Sequence, residues 1–183
     1  MKVVIGVTGS SGAAFALDFI RKCPPAKFLV VSDWGKVLLR DELGLGEKDL
    51  KALVTRAFSD DDLAAPIASG SNPIDAMVII PASTSTVGKI ASGLGDTLIT
   101  RAAQVCLKER TKLILCVRET PLSTITLEQC ARLSAAGAVI MPVSPPLYFA
   151  ARTIEEYVGV FTDRVLAQIG VRSGRGWRAE ELE

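Results

Sequence analysis

The chain has 183 residues, with 21 Lys plus Arg against 20 Asp plus Glu, a formal net charge of +1, and no histidine. That length suits one α/β domain with a full core, and near-neutrality with only 22% charged residues excludes an electrostatic nucleic-acid binder, which needs a basic face. The missing histidine removes Ser-His-Asp and Cys-His nucleophiles, the H-E-x-x-H metal motif and histidine general bases together, so any proton transfer falls to Glu, Asp, Lys, Tyr or the substrate.

Lys2 to Thr8 reads as a buried strand rich in Val and Ile, interrupted at Thr8 to Gly12 too early for a signal peptide. The turn Gly9-Ser10-Ser11-Gly12 then opens a helix through Ile20 that ends before Pro24-Pro25. A Gly-Ser turn at a helix N-terminus either cradles phosphate, with free N–H groups and the helix dipole facing the anion, or is simply a tight reversal; these residues admit both. Lys27 to Val31 is a second strand, and Ser32 at its carboxyl edge can reach the same anion. Asp33 stands about twenty residues beyond the first turn, where a nicotinamide enzyme carries its ribose-binding acid. The turn G-V-T-G-S-S-G nevertheless lacks the second glycine of G-x-G-x-x-G, and Thr8 would crowd a pyrophosphate. A mononucleotide phosphate held by hydroxyls suits the residues better.

Asp33 to Leu43 and Lys48 to Phe58 read as amphipathic helices, with Glu42 near the end of the first as an ordinary solvated acid. Ser59 to Asp62 is expected to be a polar loop or helix cap without chemistry. Ala76 to Pro81 is a strand running into the hydroxyl-rich turn Ser83-Thr84-Ser85-Thr86, where a helix begins. After Gly93-Leu94-Gly95, Asp96 or Thr97 caps another helix, which carries Arg101 and Lys108 two turns apart on nearly one face. The apolar strand Leu113 to Val117 delivers Arg118 and Glu119 at its carboxyl end, where ligands bind in open α/β sheets.

Thr126 to Ala136 reads as a helix capped by Thr124 or Thr126, and Ala138 to Met141 as a further strand. Val143 to Phe149 is a proline-stiffened loop presenting Tyr148, and Thr153 to Ile169 is the last helix, carrying Arg164. Strands alternating with helices argue for an α/β fold: a Rossmann-like, doubly wound parallel sheet of five or six strands in a single domain, residues 1–170. Residues 171–183, polar and Gly/Arg-rich, are expected to be a mobile tail.

Cys23, Cys106, Cys116 and Cys130 form no C-x-x-C pair and read as buried reduced thiols. No stretch approaches the roughly 18 apolar residues of a membrane span. A cytoplasmic protein is therefore expected. With Gly counted and Tyr left out, the chain is about 56% apolar against about 45 to 50% in ordinary domains. That excess points to subunit contacts and hence a homo-oligomer.

Arg101, Lys108, Arg118 and Arg164 are four cations at strand ends or on flanking helices. Arg118 stands out, because a charged pair ending a buried strand usually has a partner or a task.

The ordered set Thr8 to Ala13, Ala68-Ser69-Gly70-Ser71, Pro81-Ala82-Ser83, Arg101-Ala102-Ala103, Leu107 to Arg110, Arg118-Glu119-Thr120-Pro121-Leu122 and Pro145 to Tyr148 resembles the flavin prenyltransferase family, the UbiX type, over about residues 3 to 170. The resemblance implies a transferase that joins a dimethylallyl unit from dimethylallyl monophosphate to reduced FMN at N5 and C6, giving prenylated FMN for a partner decarboxylase. It implies that Gly9, Ser10, Ser11 and Ser32 hold the FMN phosphate and ribityl chain, with Ser83, Thr84, Ser85, Thr86 and Arg118 on the ribityl and isoalloxazine. It implies that Lys108, Tyr148 and Arg164, with Arg118 close by, bind the prenyl phosphate, and that Glu119, Lys108 and Glu42 serve catalysis. The flavin of this family lies between subunits of a large, usually dodecameric, assembly. No metal is implied, and no clustered Asp motif for a pyrophosphate-bound metal occurs. Asn72 departs from the aromatic residue frequent at that place in the family.

Three other readings share parts of this pattern. A cysteine decarboxylase of the same fold carries Pro-Ala-Ser-Ala-Asn-Thr where this chain has Pro81 to Thr86, but depends on a histidine. A nicotinamide-dependent oxidoreductase is disfavoured by the first turn. A non-catalytic FMN-binding protein is opposed by the retained Lys108, Arg118, Glu119, Tyr148 and Arg164.

Overall fold

The computed structural model describes residues 1–171 and 178. Six parallel strands form one sheet: β1 (Val3–Val7), β2 (Lys27–Val31), β3 (Arg56–Phe58), β4 (Ala76–Ala82), β5 (Lys112–Val117) and β6 (Val139–Ile140), in the spatial order β3-β2-β1-β4-β5-β6. The helices are α1 (Ala13–Lys22), α2 (Asp33–Leu43), α3 (Glu47–Lys51), α4 (Thr84–Ala91), α5 (Leu98–Glu109), α6 (Thr124–Ala135) and α7 (Ile154–Gln168), with short 3₁₀ turns at Pro66–Ala68 and Leu147–Phe149. The chain therefore has the expected Rossmann-like doubly wound fold.

Strand periodicity divides the core. Successive side chains leave a strand on opposite faces, so Leu113, Leu115 and Val117 of β5 enter one apolar cluster while Ile114 and Cys116 enter the other. The first cluster is closed by Val87 and Ile90 of α4, Leu98 and Ile99 of α5, and Leu133 of α6. The second is closed by Phe19 and Ile20 of α1, Leu39 of α2, and Phe161, Val165 and Leu166 of α7. Burial on both faces explains why the inner strands read as continuous apolar runs.

Two expectations need correction. Lys48 to Phe58 is not one helix: α3 stops at Lys51, and Arg56–Phe58 becomes the edge strand β3. The β-branched pair Val54-Thr55 disfavours helix, and Thr55 exchanges bonds with Lys27, its N–H reaching the Lys27 carbonyl at 2.9 Å and its hydroxyl accepting the Lys27 N–H at 3.1 Å. Pairing with β2 then outweighs local helix propensity. The cap of α6 is Ser123, which accepts from Thr126 N, so that helix begins at Thr124 rather than Thr126. The tail expected at residues 171–183 lies, apart from Val171 and Arg178, outside the described residues. No helix among the described residues is long and apolar enough to cross a membrane.

Candidate cofactor and substrate site

The connections leave β1 in one direction toward β2 and β3 and return to β4 on its other side, so the carboxyl ends of β1 and β4 flank a topological switch point. A buried threonine ties that point together. The Thr8 hydroxyl donates to the Pro81 carbonyl at 2.8 Å and accepts the Ser83 N–H at 2.8 Å. The sequence places Thr8 at the end of the first strand, in the family motif and in the way of a pyrophosphate, but does not predict these ties. The Ser10 hydroxyl adds a second tie, donating to the Arg118 carbonyl at 2.6 Å and fixing the first turn to the end of β5.

Above these ties lies a cleft of about 270 Å³, lined among others by Gly9, Ser10, Ser32, Ser83, Thr84, Ser85, Thr86 and Glu119. Eight of the residues singled out from the sequence are thus brought together. Four helix N-termini surround this region and differ in how their first N–H groups are satisfied. At α1 the cap N–H of Gly12 and the first helical N–H, that of Ala13, both donate to the Glu42 carboxylate, at 3.0 Å and 2.7 Å to Oε2. At α5 the first N–H groups are taken as well, with Leu98 N on the Asp60 carbonyl at 2.6 Å and Ile99 N on Asp60 Oδ1 at 2.9 Å.

At α2 and α4 the caps bond one residue further on. Ser32 Oγ accepts from Gly35 N, and Ser83 Oγ accepts from Thr86 N. The N–H groups of Asp33 and Trp34, and of Thr84 and Ser85, precede any intrahelical acceptor and so remain for a ligand. Gly35 permits the close approach of α2, because a Cβ there would lie 2.6 Å from the Val7 carbonyl oxygen.

Trp34, Asp60, Lys89, Thr97 and Thr100 also line the cleft and were not foreseen as site residues. Asp60 belongs to the segment for which the sequence predicts a loop or cap without chemistry; the available signal is its place just after the apolar Phe58, at a strand's carboxyl end. Burial, partly offset by the Ile99 N–H and the Thr97 hydroxyl, pushes its carboxyl above the ordinary value. Lys89 places an ammonium on the cleft wall and pairs at 2.7 Å with Asp96, whose carboxyl it holds below the ordinary value.

The remaining predicted residues lie off this cleft. Ser11 is exposed beyond the turn, and the exposed Arg118 adjoins the cleft through its backbone. Lys108 sits on the outer face of α5, ion-paired with Glu109 and packed over Gly70. Arg101, two turns earlier on the same side of α5, donates through Nε to the Ala68 carbonyl at 3.1 Å, so α5 holds the 68–71 loop. Asn72 Nδ2 donates to the Pro66 carbonyl at 3.0 Å, closing the same loop on itself. Tyr148 is 47% exposed and packs on Phe149, with ring centroids 4.6 Å apart, and Arg164 is exposed on α7. One chain therefore gathers the hydroxyl set and Glu119 but not the cations with them.

A family model described as Flavoprotein matches residues 1–163. The flavin prenyltransferase UbiX of Thermoplasma acidophilum is 40% identical over 172 residues, which span 93% of this chain and 96% of that protein. The chain belongs to the flavin prenyltransferase family. A solved member of similar fold, AnUbiX in complex with FMN and dimethylallyl pyrophosphate, superposes with a TM-score of 0.91 at 34% identity, covering 97% of this chain and 98% of that one. A dodecameric FMN-dependent UbiX-like decarboxylase from Escherichia coli O157:H7 superposes with a TM-score of 0.94 at 38% identity, covering 97% of this chain and all of that one, 100%. The hydroxyl-lined cleft of this family member lies at the switch point, where ligands bind in open α/β sheets. The unspent N–H groups and hydroxyls at α4 and α2, with Lys89 on the wall, are donors of the kind an FMN phosphate needs, while Asp60 and Glu119 add carboxylates to the same cleft; no group of three or more His, Cys, Asp or Glu suited to a metal occurs among the described residues.

Proposed function

We propose that this protein is a flavin prenyltransferase: it binds FMN in the cleft and transfers a dimethylallyl unit from dimethylallyl monophosphate to the reduced flavin. The observation that carries this reading is the pair of helix N-termini, α2 and α4, aiming unspent N–H groups and the hydroxyls of Ser32 and Ser83 to Thr86 into one cleft at the switch point. Helix dipoles and free amides favour a phosphate there. The N-terminus of α1 already holds Glu42, so the phosphate goes to α4 and α2, and Gly9 and Ser10 line the path of the ribityl and ring. Glu42 then acts as a positioning residue that fixes the first turn.

Reduced FMN supplies the electron-rich N5 and C6 that accept the prenyl carbons. This chain's residues handle the charge of the departing phosphate. Arg118 and Glu119 stand together at the end of β5, and Glu119 faces the cleft, where it can hold or deliver a proton at a phosphate oxygen. Cations placed where negative charge develops lower the barrier without needing to reorganise. Lys108, Tyr148 and Arg164 lie elsewhere on the chain, which fits a prenyl-phosphate site completed by packing of neighbouring copies, with a dodecamer as the assembly. The cleft volume, about 270 Å³, falls short of the roughly 300 to 1,000 Å³ usual for ligand pockets, as a cleft walled partly by a neighbour would.

In this reading residues 1–170 are one FMN-binding domain working in the cytoplasm, and the prenylated FMN is consumed by a decarboxylase. The test is mass analysis of flavin released after incubation with reduced FMN and dimethylallyl monophosphate. A gain of one prenyl unit supports the reading, and FMN recovered unchanged from protein that had bound both would end it.

A further inference from the structure

Trp34 is 71% exposed, the highest exposure among the described large aromatic side chains, yet it belongs to the wall of the cleft rather than to an outer face. Its place is fixed from below. A Cβ on Gly9 would overlap the Trp34 Cβ, so the first turn and the start of α2 touch with no room between them, while the indole extends beyond that contact. Trp34 follows the Ser32 cap by two residues, so its own N–H is among those the start of α2 leaves unspent. A phosphate bound at that terminus lies beside the indole.

An indole left in water is a large apolar surface awaiting cover, and its edge, the positive side of the ring quadrupole and the side that carries the N–H, can meet an anion while the body of the ring excludes water. We infer that Trp34 closes over the phosphate end of bound FMN, becoming shielded as the nucleotide enters and slowing its escape. Through this residue the chain distinguishes a flavin bearing a phosphate from one that lacks it. The inference rests on the cofactor reading above and adds to it a specific residue and a specific end of the cleft.

The other tryptophan, Trp177, is first replaced by Phe in the full chain, so that indole emission reports Trp34 alone. Acrylamide quenching is then compared with and without FMN, and FMN binding is followed separately by equilibrium dialysis. The expected result is ready quenching without nucleotide and several-fold weaker quenching with FMN bound. Trp34→Ala should weaken FMN binding about tenfold while leaving riboflavin binding nearly unchanged, and Trp34→Phe should keep most of the affinity. Equal quenching of protein shown by dialysis to be loaded overturns the inference and leaves the cofactor reading standing. Shielding already complete without nucleotide also overturns it, because the indole is then buried between subunits. Absence of FMN binding by dialysis overturns both.

Discussion

Asp60 accepts the Ile99 N–H on its Oδ1 at 2.9 Å, so the N-terminus of α5 is held by an anion belonging to the protein itself. The same carboxylate stands on the cleft wall, opposite hydroxyls proposed to face phosphate. Burial raises its titration above the ordinary carboxylate value, Asp33 nearby adds to that, and Lys36 opposes it. In the pH range between the ordinary and the raised value the folded chain keeps a proton that the unfolded chain has lost. Stability from this group is therefore fully present below the ordinary value and declines as pH rises through the raised one.

The wild-type stability minus that of Asp60→Asn should fall as pH rises through that acidic window and level off above it. FMN affinity relative to the Asn variant should follow the same course, because deprotonated Asp60 repels the phosphate. Denaturant melts and FMN titrations of both proteins across the acidic range check this. A difference that does not change with pH would show that Asp60 keeps one charge state throughout.

Gly9 touches Trp34 through backbone-level atoms, so relief cannot come from turning the indole. Gly9→Ala should cost about 1 to 3 kcal/mol, the range for forced overpacking. Trp34→Ala should not rescue it, since alanine keeps the offending Cβ, whereas Trp34→Gly should. A double-mutant cycle by urea denaturation gives the coupling. Additive effects of Gly9→Ala and Trp34→Gly would mean the turn absorbs the clash elsewhere.

Much of this arrangement was legible in the sequence because it depends on local rules. The hydroxyl-rich turn at Ser83 to Thr86, a cap at Asp96 or Thr97, the buried apolar strands and the charged pair after Val117 all declare themselves by residue type and position, and the structure places the caps at Ser83 and Thr97. What stayed hidden depends on distance in space. Glu42 reads as a solvated helix acid until α2 packs beside α1 and brings it to Gly12, 30 residues away in the chain. Asp60 reads as loop until α5 arrives above it. Thr55 reads as part of the amphipathic run 48–58 until β2 offers it a partner. Lys108 and Glu119 share a motif order but no cleft in one chain, a separation that sequence spacing cannot reveal.

Glu42 gives a second separable outcome. Its carboxylate satisfies two α1 N–H groups and complements the helix dipole, so Glu42→Ala should lower stability by about 1 kcal/mol, as loss of an N-terminal cap does. A positioning role predicts that stability and FMN affinity fall together and that Glu42→Gln, which keeps an acceptor oxygen, recovers part of both. Loss of the prenylation step alone, with stability and FMN affinity unchanged in Glu42→Gln, would instead place Glu42 in the chemistry.

Thiol reactivity tests the core directly. Burial pushes Cys23 up to about 11 and Cys106 up to about 12, and raises Cys116 further, so almost no thiolate forms at neutral pH. Only Cys130, half-buried on α6, should react with a thiol reagent in the native protein, and the other three should label on unfolding. Peptide mapping after timed labelling shows the order. Rapid native labelling of Cys116 would contradict its place beneath α1 and α7.

Catalysis and binding should separate at Glu119 and Lys108, because the two occupy different parts of the chain. Glu119 lines the cleft, and its Oε1 accepts the Thr120 N–H at 2.9 Å, a bond that the amide of glutamine can also accept. Glu119→Gln should therefore fold normally and keep both FMN and dimethylallyl monophosphate. If the carboxyl protonates the departing phosphate, the prenylation step should slow by about 10² to 10⁴ fold, the usual range for a lost general acid. Lys108 is an exposed cation paired with Glu109, and its proposed contact with prenyl phosphate exists before and during bond cleavage. Lys108→Ala should weaken prenyl-phosphate binding as well as rate, and leave FMN affinity alone. Single-turnover mixing of reduced, FMN-loaded protein with increasing dimethylallyl monophosphate, followed by the flavin spectrum, separates the two effects: a lower plateau for Glu119→Gln, a shifted half-saturation for Lys108→Ala. A Glu119→Gln protein that reaches the wild-type plateau would remove this carboxyl from the mechanism and leave proton transfer to the phosphate itself.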